Sequence, residues 1–553
     1  MINFRAAISK ANKKLPLKLA ATLLAGSSLV ASLLGVLRER IFNSTYYLTY
    51  PTGADAYRVA FTVPDFMFII LVSGALSVSF IPVFNQRLAT GNKKSAWELS
   101  VSVMNLMAIA TLVTSVLIII FAEPLVRFVV GPGLDESSTA LAVSMMRVIA
   151  VSPFLFAIAT VITSMQQAVG RFAFFALAPV TYNIGIIIGL VFFTNGINIF
   201  GWQVFEGGIM GVALGVVLGA ILQLIVSTLG LYGMGFDYRF RIYWKNKGFL
   251  QVLRLLPPRS LDQGIDYVNS IVETNLASRM VAGTINAFQQ ATTLAYMPIN
   301  LIGVAISTAA YPKMTERIAQ GRPDLFKKEL QSVLRVIIWL ALPVTVIAIL
   351  ARGYIVNFIL NGGDPYIASI FAILAITIVI RCVYFISARS FYANQDTKTP
   401  LYVSLFTISL NIVLAVWFAF GLNMAVYGLA WAAVIGAATE VAILFVLMSR
   451  RIKGIFDATF INAIVRMASA AGFMAIVTYV TLNFIPLNAT DDSFWVTFPK
   501  FMLVSLVSGV AYLLLCWAFR LPEVKPVLSR IRTIFFKVLF KTPKAKNESS
   551  KHS

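Results

Sequence analysis

The sequence predicts an all-α polytopic membrane protein of about fourteen transmembrane helices: two parallel six-helix lobes followed by two C-terminal helices. Three observations predict this class. They are a hydropathy too high for a soluble chain, loops whose basic charge alternates, and an internal repeat. Of the 553 residues, 59% are hydrophobic and 12% charged, and the mean hydropathy is +0.83. Soluble domains carry about 25% charged residues. Apolar stretches long enough to cross a ~30 Å hydrocarbon core recur from end to end, and no polar block has the length of a domain.

The expected helices begin near Leu15, Tyr57, Ala96, Thr139, Phe172, Gly208, Gly248, Thr284, Phe326, Tyr366, Pro400, Met424, Phe460 and Phe494. The first run, Leu15–Leu37, lacks a small-residue cleavage site and leads straight into further spans, so it reads as a helix rather than a signal peptide. The boundaries that follow are a cytoplasmic N-terminus (1–14), an N-lobe (15–236), a C-lobe (237–452), helices 13 and 14 (453–520) and a basic tail (521–553).

The net charge of +22 falls in alternate loops. One side carries Lys10, Lys13, Lys14 and Lys18, then Arg87, Lys93 and Lys94, Arg171, and Arg239 to Lys247. It continues through Lys313 to Lys328, Arg389 and Lys398, Arg450 to Lys453 and the tail. The other side is poor in Lys and Arg, with Asp135, Glu136, Glu206, Asp491 and Asp492. The positive-inside rule places both termini in the cytoplasm. Membrane lipids rather than nucleic acid are the expected partner of this charge, and a monomer is expected. His552 is the only histidine, and Cys382 and Cys516 both lie in apolar runs, so neither His-dependent catalysis, a metal spacing nor a disulfide framework is expected.

Two sequence pairs reveal the repeat. GALSVSFIPVFNQRLATG (Gly74–Gly91) resembles GVAISTAAYPKMTERIAQG (Gly303–Gly321), and Asn183 in TYNIGIIIGLVFF matches Asn411 in SLNIVLAVWF. The offsets are 229 residues (74 to 303) and 228 (183 to 411). They span six helices, an even number, so the two halves insert the same way up, a common plan among transporters.

Ionisable residues inside apolar runs cost several kcal/mol unless they face a cavity or a partner, which makes each a functional candidate. Arg38, Glu39 and Arg40 end helix 1, and Asp55, Arg58 and Asp65 lie early in helix 2. Arg38 and Arg40 either snorkel to the headgroups or serve function, and Arg58 either pairs with Asp55 (i, i+3) or faces a path. Along helix 7, Asp262, Asp266 and Glu273 share one face, as a stripe that lines water or binds a cation, while Arg259 and Asp262 could pair near a helix end. Arg147, Arg381, Glu440 and Arg466 read as isolated charges. With no nucleotide-binding loop or soluble domain, no cofactor is expected, and transport would draw on Na+ or H+, the membrane potential or the substrate gradient. The short acidic outer loops argue against a membrane glycosyltransferase.

Four stretches carry a family resemblance: LLGVLRERIF (Leu33–Phe42), GADAYRVAFTVPDF with SGALSVSFIPVF (within Gly53–Phe84), NLIGVAISTAAYP (Asn300–Pro312) and FYANQDTKTP (Phe391–Pro400). The chain resembles the MurJ/MviN lipid II flippases of the multidrug/oligosaccharidyl-lipid/polysaccharide exporter group over essentially its whole length. The resemblance implies a bacterial inner-membrane flippase, not an enzyme. It would move an undecaprenyl-pyrophosphate-linked peptidoglycan precursor between leaflets by alternating access, through a cationic cavity. A flippase of another lipid-linked glycan, or a drug or cation antiporter, is the alternative.

By that resemblance Arg38, Glu39 and Asp55 correspond to family cavity residues. Glu273 and Asn411 correspond to a cation site found in some members, without its second helix 11 acid, which is Ala415 here. Three family arginines are replaced by Ser32, Phe68 and Thr293, and an acid by Ser73. Arg58, at a position usually apolar in the family, is expected to restore part of the lost positive charge.

Overall fold

The structure, a computed structural model, describes residues 16–525 apart from 200, 201, 453, 489, 490 and 492, together with residues 8, 11, 12 and 529. The side chains of 17, 18, 20, 21, 73–79, 197–199, 202, 204, 257–263 and 266 lie outside the described set. The expectations for Lys10, Lys13, Lys14, Lys453, Asp492 and the tail from Arg530 therefore fall outside the described residues, as do those for the side chains of Lys18, Ser73, Arg259, Asp262 and Asp266.

Among the described residues, fourteen long helical segments follow one another. They are α1 (Leu17–Phe42), α2 (51–89), α3 (Lys93–Val130), α4 (Glu136–Ala168), α5 (Ala173–Asn195), α6 (Met210–Leu229) and α7 (Lys247–Ser278). The chain continues through α8 (Thr284–Ala319), α9 (Pro323–Leu350), α10 (Pro365–Ala393), α11 (Lys398–Gly421), α12 (Val426–Arg451), α13 (Ala458–Phe484) and α14 (Phe494–Ala518). Among the described residues, twelve of these segments are long and apolar enough to cross a membrane. A two-stranded antiparallel hairpin, β1 (Ile197–Ile199) with β2 (Trp202–Phe205), joins α5 to α6 within the otherwise helical fold. Strands this short need only a Gly-bounded turn region, which hydropathy does not register.

Local chemistry sets the helix ends. Side chains of Asn92, Asp135, Asn246 and Asp457 accept from the first free N–H groups of α3, α4, α7 and α13. Pro323 and Pro365 open α9 and α10, where a missing N–H costs nothing.

The repeat is visible in the backbone. Helix α2 widens into a π-turn at Ile69–Ser73, and α8 does so at Ile299–Val304, 230 residues later (69 to 299). Each π-turn precedes a helical half containing a proline, Pro82 or Pro312, and each half leads to a left-handed glycine, Gly91 or Gly321. The asparagine pair behaves alike: Asn183 on α5 meets Arg38 of α1, and Asn411 on α11 meets Asn269 of α7.

Helices α1 to α6 pack mainly on one another, as do α8 to α12, while α13 and α14 form a pair with α13 laid on α9. The tightest contact joins α5 and α6. A Cβ on Gly185 would meet the Cα of Gly219 at 2.3 Å, and one on Gly189 would meet that of Gly215 at 2.5 Å. In lipid, where apolar burial provides little association energy, such small-residue seams let backbones approach and gain dispersion contact. Helix α7 bridges the halves: its first turns (Phe249, Val252, Leu256) join the cluster of Phe80, Phe84 and Leu99 on α2 and α3. Farther along, Asn269 and Glu273 reach Asn411 on α11. Exposed apolar side chains such as Val465, Ile476, Leu506 and Leu514 give α13 and α14 an outer surface suited to lipid.

Candidate functional site

A cavity of about 830 Å³ lies where α1, α2, α5 and α8 converge. Its charged lining comprises Arg38, Glu39, Arg58 and Asp65, two of each sign. Around them stand Ser28, Ser32, Gln289 and Thr293. Polar groups are required here, because a charge facing hydrocarbon costs several kcal/mol.

Glu39 is the hub. It accepts from Arg38 at 2.6 Å, from Arg58 at 2.5 Å and from Gln290 Nε2 at 2.5 Å. Arg58 also donates Nε to Asn286 Oδ1 at 2.8 Å, and its guanidinium lies 5.1 Å from the Phe42 ring centre. Two guanidiniums around one carboxylate satisfy the geometry a buried charge needs, since breaking such a pair costs about 3–5 kcal/mol. The Asp55–Arg58 alternative does not form as a salt bridge: Arg58 points back to α1, and Asp55 has another task.

Asp55 caps α8 from across the molecule. Its carboxylate accepts from the N–H of Gly283 at 2.6 Å and of Asn286 at 2.8 Å, where the positive end of the α8 dipole favours an anion. Nearby, Arg40 Nη1 donates to the carbonyl of Asn357 at 2.5 Å, and Asn43 donates to that of Ile359 at 3.0 Å. Tyr47 OH donates to Asp364 at 2.8 Å. Arg40 therefore does not snorkel. Together these bonds tie the α1–α2 region to the α7–α8 and α9–α10 connections. They close the end opposite the basic loops.

A second, small pocket of about 90 Å³ lies between α7, α8, α10, α11 and α12. Glu273 Oε1 accepts from Asn269 at 2.9 Å and from Asn411 at 3.3 Å. Asn411 Oδ1 is buried without a hydrogen-bond partner, and Asn269 Oδ1 takes the Asn411 amide at 2.9 Å. One carboxylate and two amide oxygens form a hard-oxygen set that fits a monovalent cation. Ala415, one turn beyond Asn411, is buried and adds no oxygen. Arg381 and Glu440, which the sequence suggests as isolated charges, are partners at 2.8 Å, with Ser404 donating to the same carboxylate at 2.7 Å. They sit on α10 and α12, so sequence spacing gives no hint of the pairing.

Of the positions where family arginines are replaced, Ser32 and Thr293 line the main cavity, whereas the Phe68 ring packs tilted against Phe156, their centres 5.5 Å apart. Sequence reasoning misses Asn286, Gln290 and Asn269, because neutral amides do not register as charge. The available signal was TINAFQQATT, whose Asn286 and Gln290 (i, i+4) share a face in an otherwise apolar run. The loop FYANQDTKTP is held by Asp396, which accepts from Thr399 N at 2.9 Å and pairs with Arg451 at 2.6 Å. It joins α10 to α11, away from both cavities.

A polytopic helical bundle with a polar cavity between its halves, closed at one end by inter-half hydrogen bonds, defines a membrane carrier. The family model described as "Lipid II flippase MurJ" matches residues 45–495, and the chain belongs to that family. Among relatives, a probable lipid II flippase MurJ of Borreliella burgdorferi is 22% identical over 413 residues, 73% of this chain and 77% of the relative. The Thermotoga maritima counterpart is 24% identical over 434 residues, 76% and 83% of the two chains. A solved lipid II flippase MurJ in an inward closed conformation superposes with a TM-score of 0.71 at 22% identity, over 94% of this chain and 99% of that one. An inward-facing MATE family multidrug transporter gives 0.65 at 16% identity, over 77% and 96%.

Proposed function

We propose that this chain is a lipid II flippase, carrying an undecaprenyl-pyrophosphate-linked peptidoglycan precursor from the inner to the outer leaflet of the bacterial inner membrane. The observation that carries the reading is the placement of Arg38 and Arg58 in an open cavity between the halves. Guanidinium pairs with phosphate oxygens bidentately and stays charged, so it offsets the cost of drawing a pyrophosphate through hydrocarbon. In this reading both termini face the cytoplasm, and 15–236 and 237–452 act as rocking bodies. Opening of the far end would break the Asp55, Arg40 and Asn43 contacts. Loss of Gln290 and Asn286 from the hub would leave Glu39 and Arg58 paired only within the first half.

Coupling belongs to the second pocket, where Glu273, Asn269 and Asn411 would hold Na+ or exchange a proton at the Glu273 carboxylate. A bound cation there would offset the carboxylate's charge and draw α7 and α11 together.

A second reading, export of another lipid-linked glycan or a drug, is favoured by one observation. The main cavity is formally neutral, with Ser32 and Thr293 in place of cations. Complementation separates the two. Expression in a strain depleted of its lipid II flippase should restore growth and clear accumulated lipid II. Failure despite normal membrane insertion would transfer the assignment to another substrate.

A further inference from the structure

A third cavity, of about 670 Å³, lies at the end bearing the basic loops, between the α2–α3 turn and the α6–α7 loop. It is lined by Arg87, Lys94, Arg241, Lys245 and Lys247, with Glu98 the one acid, a formal balance of +4 (five cations, one anion). Among the described residues none of these five cations forms a salt bridge. The Nε of Arg87 is buried and has no acceptor. A buried donor without a partner costs about 1–3 kcal/mol, so the site is short of an anion.

The pocket is built rather than loosely gathered. Three polar residues on one flank of α3 pin the α6–α7 loop. Asn105 donates to the carbonyls of Arg239 and Arg241 at 2.9 and 3.0 Å, and accepts from Tyr238 OH at 3.0 Å. Ser102 Oγ accepts from the Tyr243 N–H at 2.8 Å, and Ser95 accepts from Asn246 at 3.0 Å. The first free N–H groups of α7 are already taken by Asn246, so side-chain cations rather than a helix end supply the attraction.

The same loop carries Tyr238, Phe240 and Trp244 with 52%, 79% and 56% of their surface exposed. Aromatic side chains interleaved with cations are suited to the headgroup level of a bilayer, where one part of the ring meets acyl chain and another water. A soluble anion has no use for them.

We propose that this pocket binds the headgroup phosphate of an anionic phospholipid. Arg87 and Arg241 would grip the phosphate, with Lys94 and Lys245 flanking it and Phe240 and Trp244 seated among the acyl chains. The site is remote from both other pockets and stands independently of the transport reading.

Native mass spectrometry of the full chain, in detergent with phosphatidylcholine and then titrated with phosphatidylglycerol, tests it. One phosphatidylglycerol should bind ahead of all others. K94Q/K245Q, at two exposed positions, should weaken that step on the order of tenfold, and R87Q should weaken it as well. R317Q/K328Q, in a different basic loop, should bind as the unmodified chain does. Equal affinity of K94Q/K245Q and the unmodified chain would overturn the proposal, as would equal retention of phosphatidylcholine. Displacement of the lipid by low-millimolar inorganic phosphate would also overturn it, in favour of a soluble anion.

Discussion

Arg58 Nη2 lies 2.5 Å from Glu39 Oε2 while its Nε meets Asn286 at 2.8 Å, so one side chain ties α2 to both α1 and α8. Arg58 is expected to restore part of the lost cavity charge, and it lines the cavity. R58A should insert normally yet fail to support growth of a flippase-depleted strain, with lipid II accumulating. R58K keeps a charge but not the fork, and should restore growth only in part. Full growth of R58A would remove Arg58 from the substrate path.

Asp55 predicts the behaviour of the closed end. D55A frees the N–H groups of Gly283 and Asn286, losing two charge-assisted bonds of about 1.5–3 kcal/mol each. In a chain lacking Cys382 and Cys516, a cysteine at Ile359 should then react with a membrane-impermeant maleimide roughly tenfold faster, or more, than with Asp55 intact. An unchanged rate would mean that the other bonds alone hold the end shut.

Glu273 predicts the coupling ion. If Na+ occupies the second pocket, NaCl but not choline chloride should raise the unfolding temperature. A hundredfold excess over Kd corresponds to about 2.7 kcal/mol. E273Q should abolish the rise. A rise that survives E273Q would place the ion elsewhere, and no rise in the unmodified chain would leave the proton as the candidate.

Asp396 predicts an acid-sensitive joint outside the membrane. Burial opposes its ionisation, but the bonds from Thr399 and Arg451 outweigh this and hold its pKa at about 2. An unperturbed Asp titrates near ~3.9. The folded-state value is the lower one, so the stabilisation is complete above about pH 4 and fades as pH falls toward about 2. D396N should therefore lower the unfolding temperature at pH 7 and lose that difference by pH ~2. A gap that persists unchanged in acid would show that the amide disrupts the turn for steric reasons.

The sequence carried the helical class, the repeat and most charged site residues, because hydropathy and ionisable groups are properties of single positions. Arg38, Glu39 and Arg58 emerged that way, and the structure gathers them at one cavity. Their pairing did not emerge. Whether Arg58 turns to Asp55 or to Glu39 depends on how α1 crosses α2, and Arg381–Glu440 depends on α10 meeting α12. The amide partners Asn269, Asn286 and Gln290 stayed hidden for a different reason: uncharged polar groups are common in membrane helices and become informative only when something charged stands opposite. The basic pocket was half legible. Its cations read as an orientation signal, and only the fixed loop and the unpartnered Arg87 Nε distinguish a receptor from a tally of charge.

The paired π-turns at Ile69–Ser73 and Ile299–Val304 give the two halves the same bend at matching places. The bend is common to both, while the chemistry beside it is not. One half gathers arginines and carboxylates at an open cavity, whereas the other sets the amides of Asn269 and Asn411 beside Glu273 and the Arg381–Glu440 pair. A traveller through the centre thus passes between two mechanically matched walls of unlike chemistry, so symmetric motion can do asymmetric work.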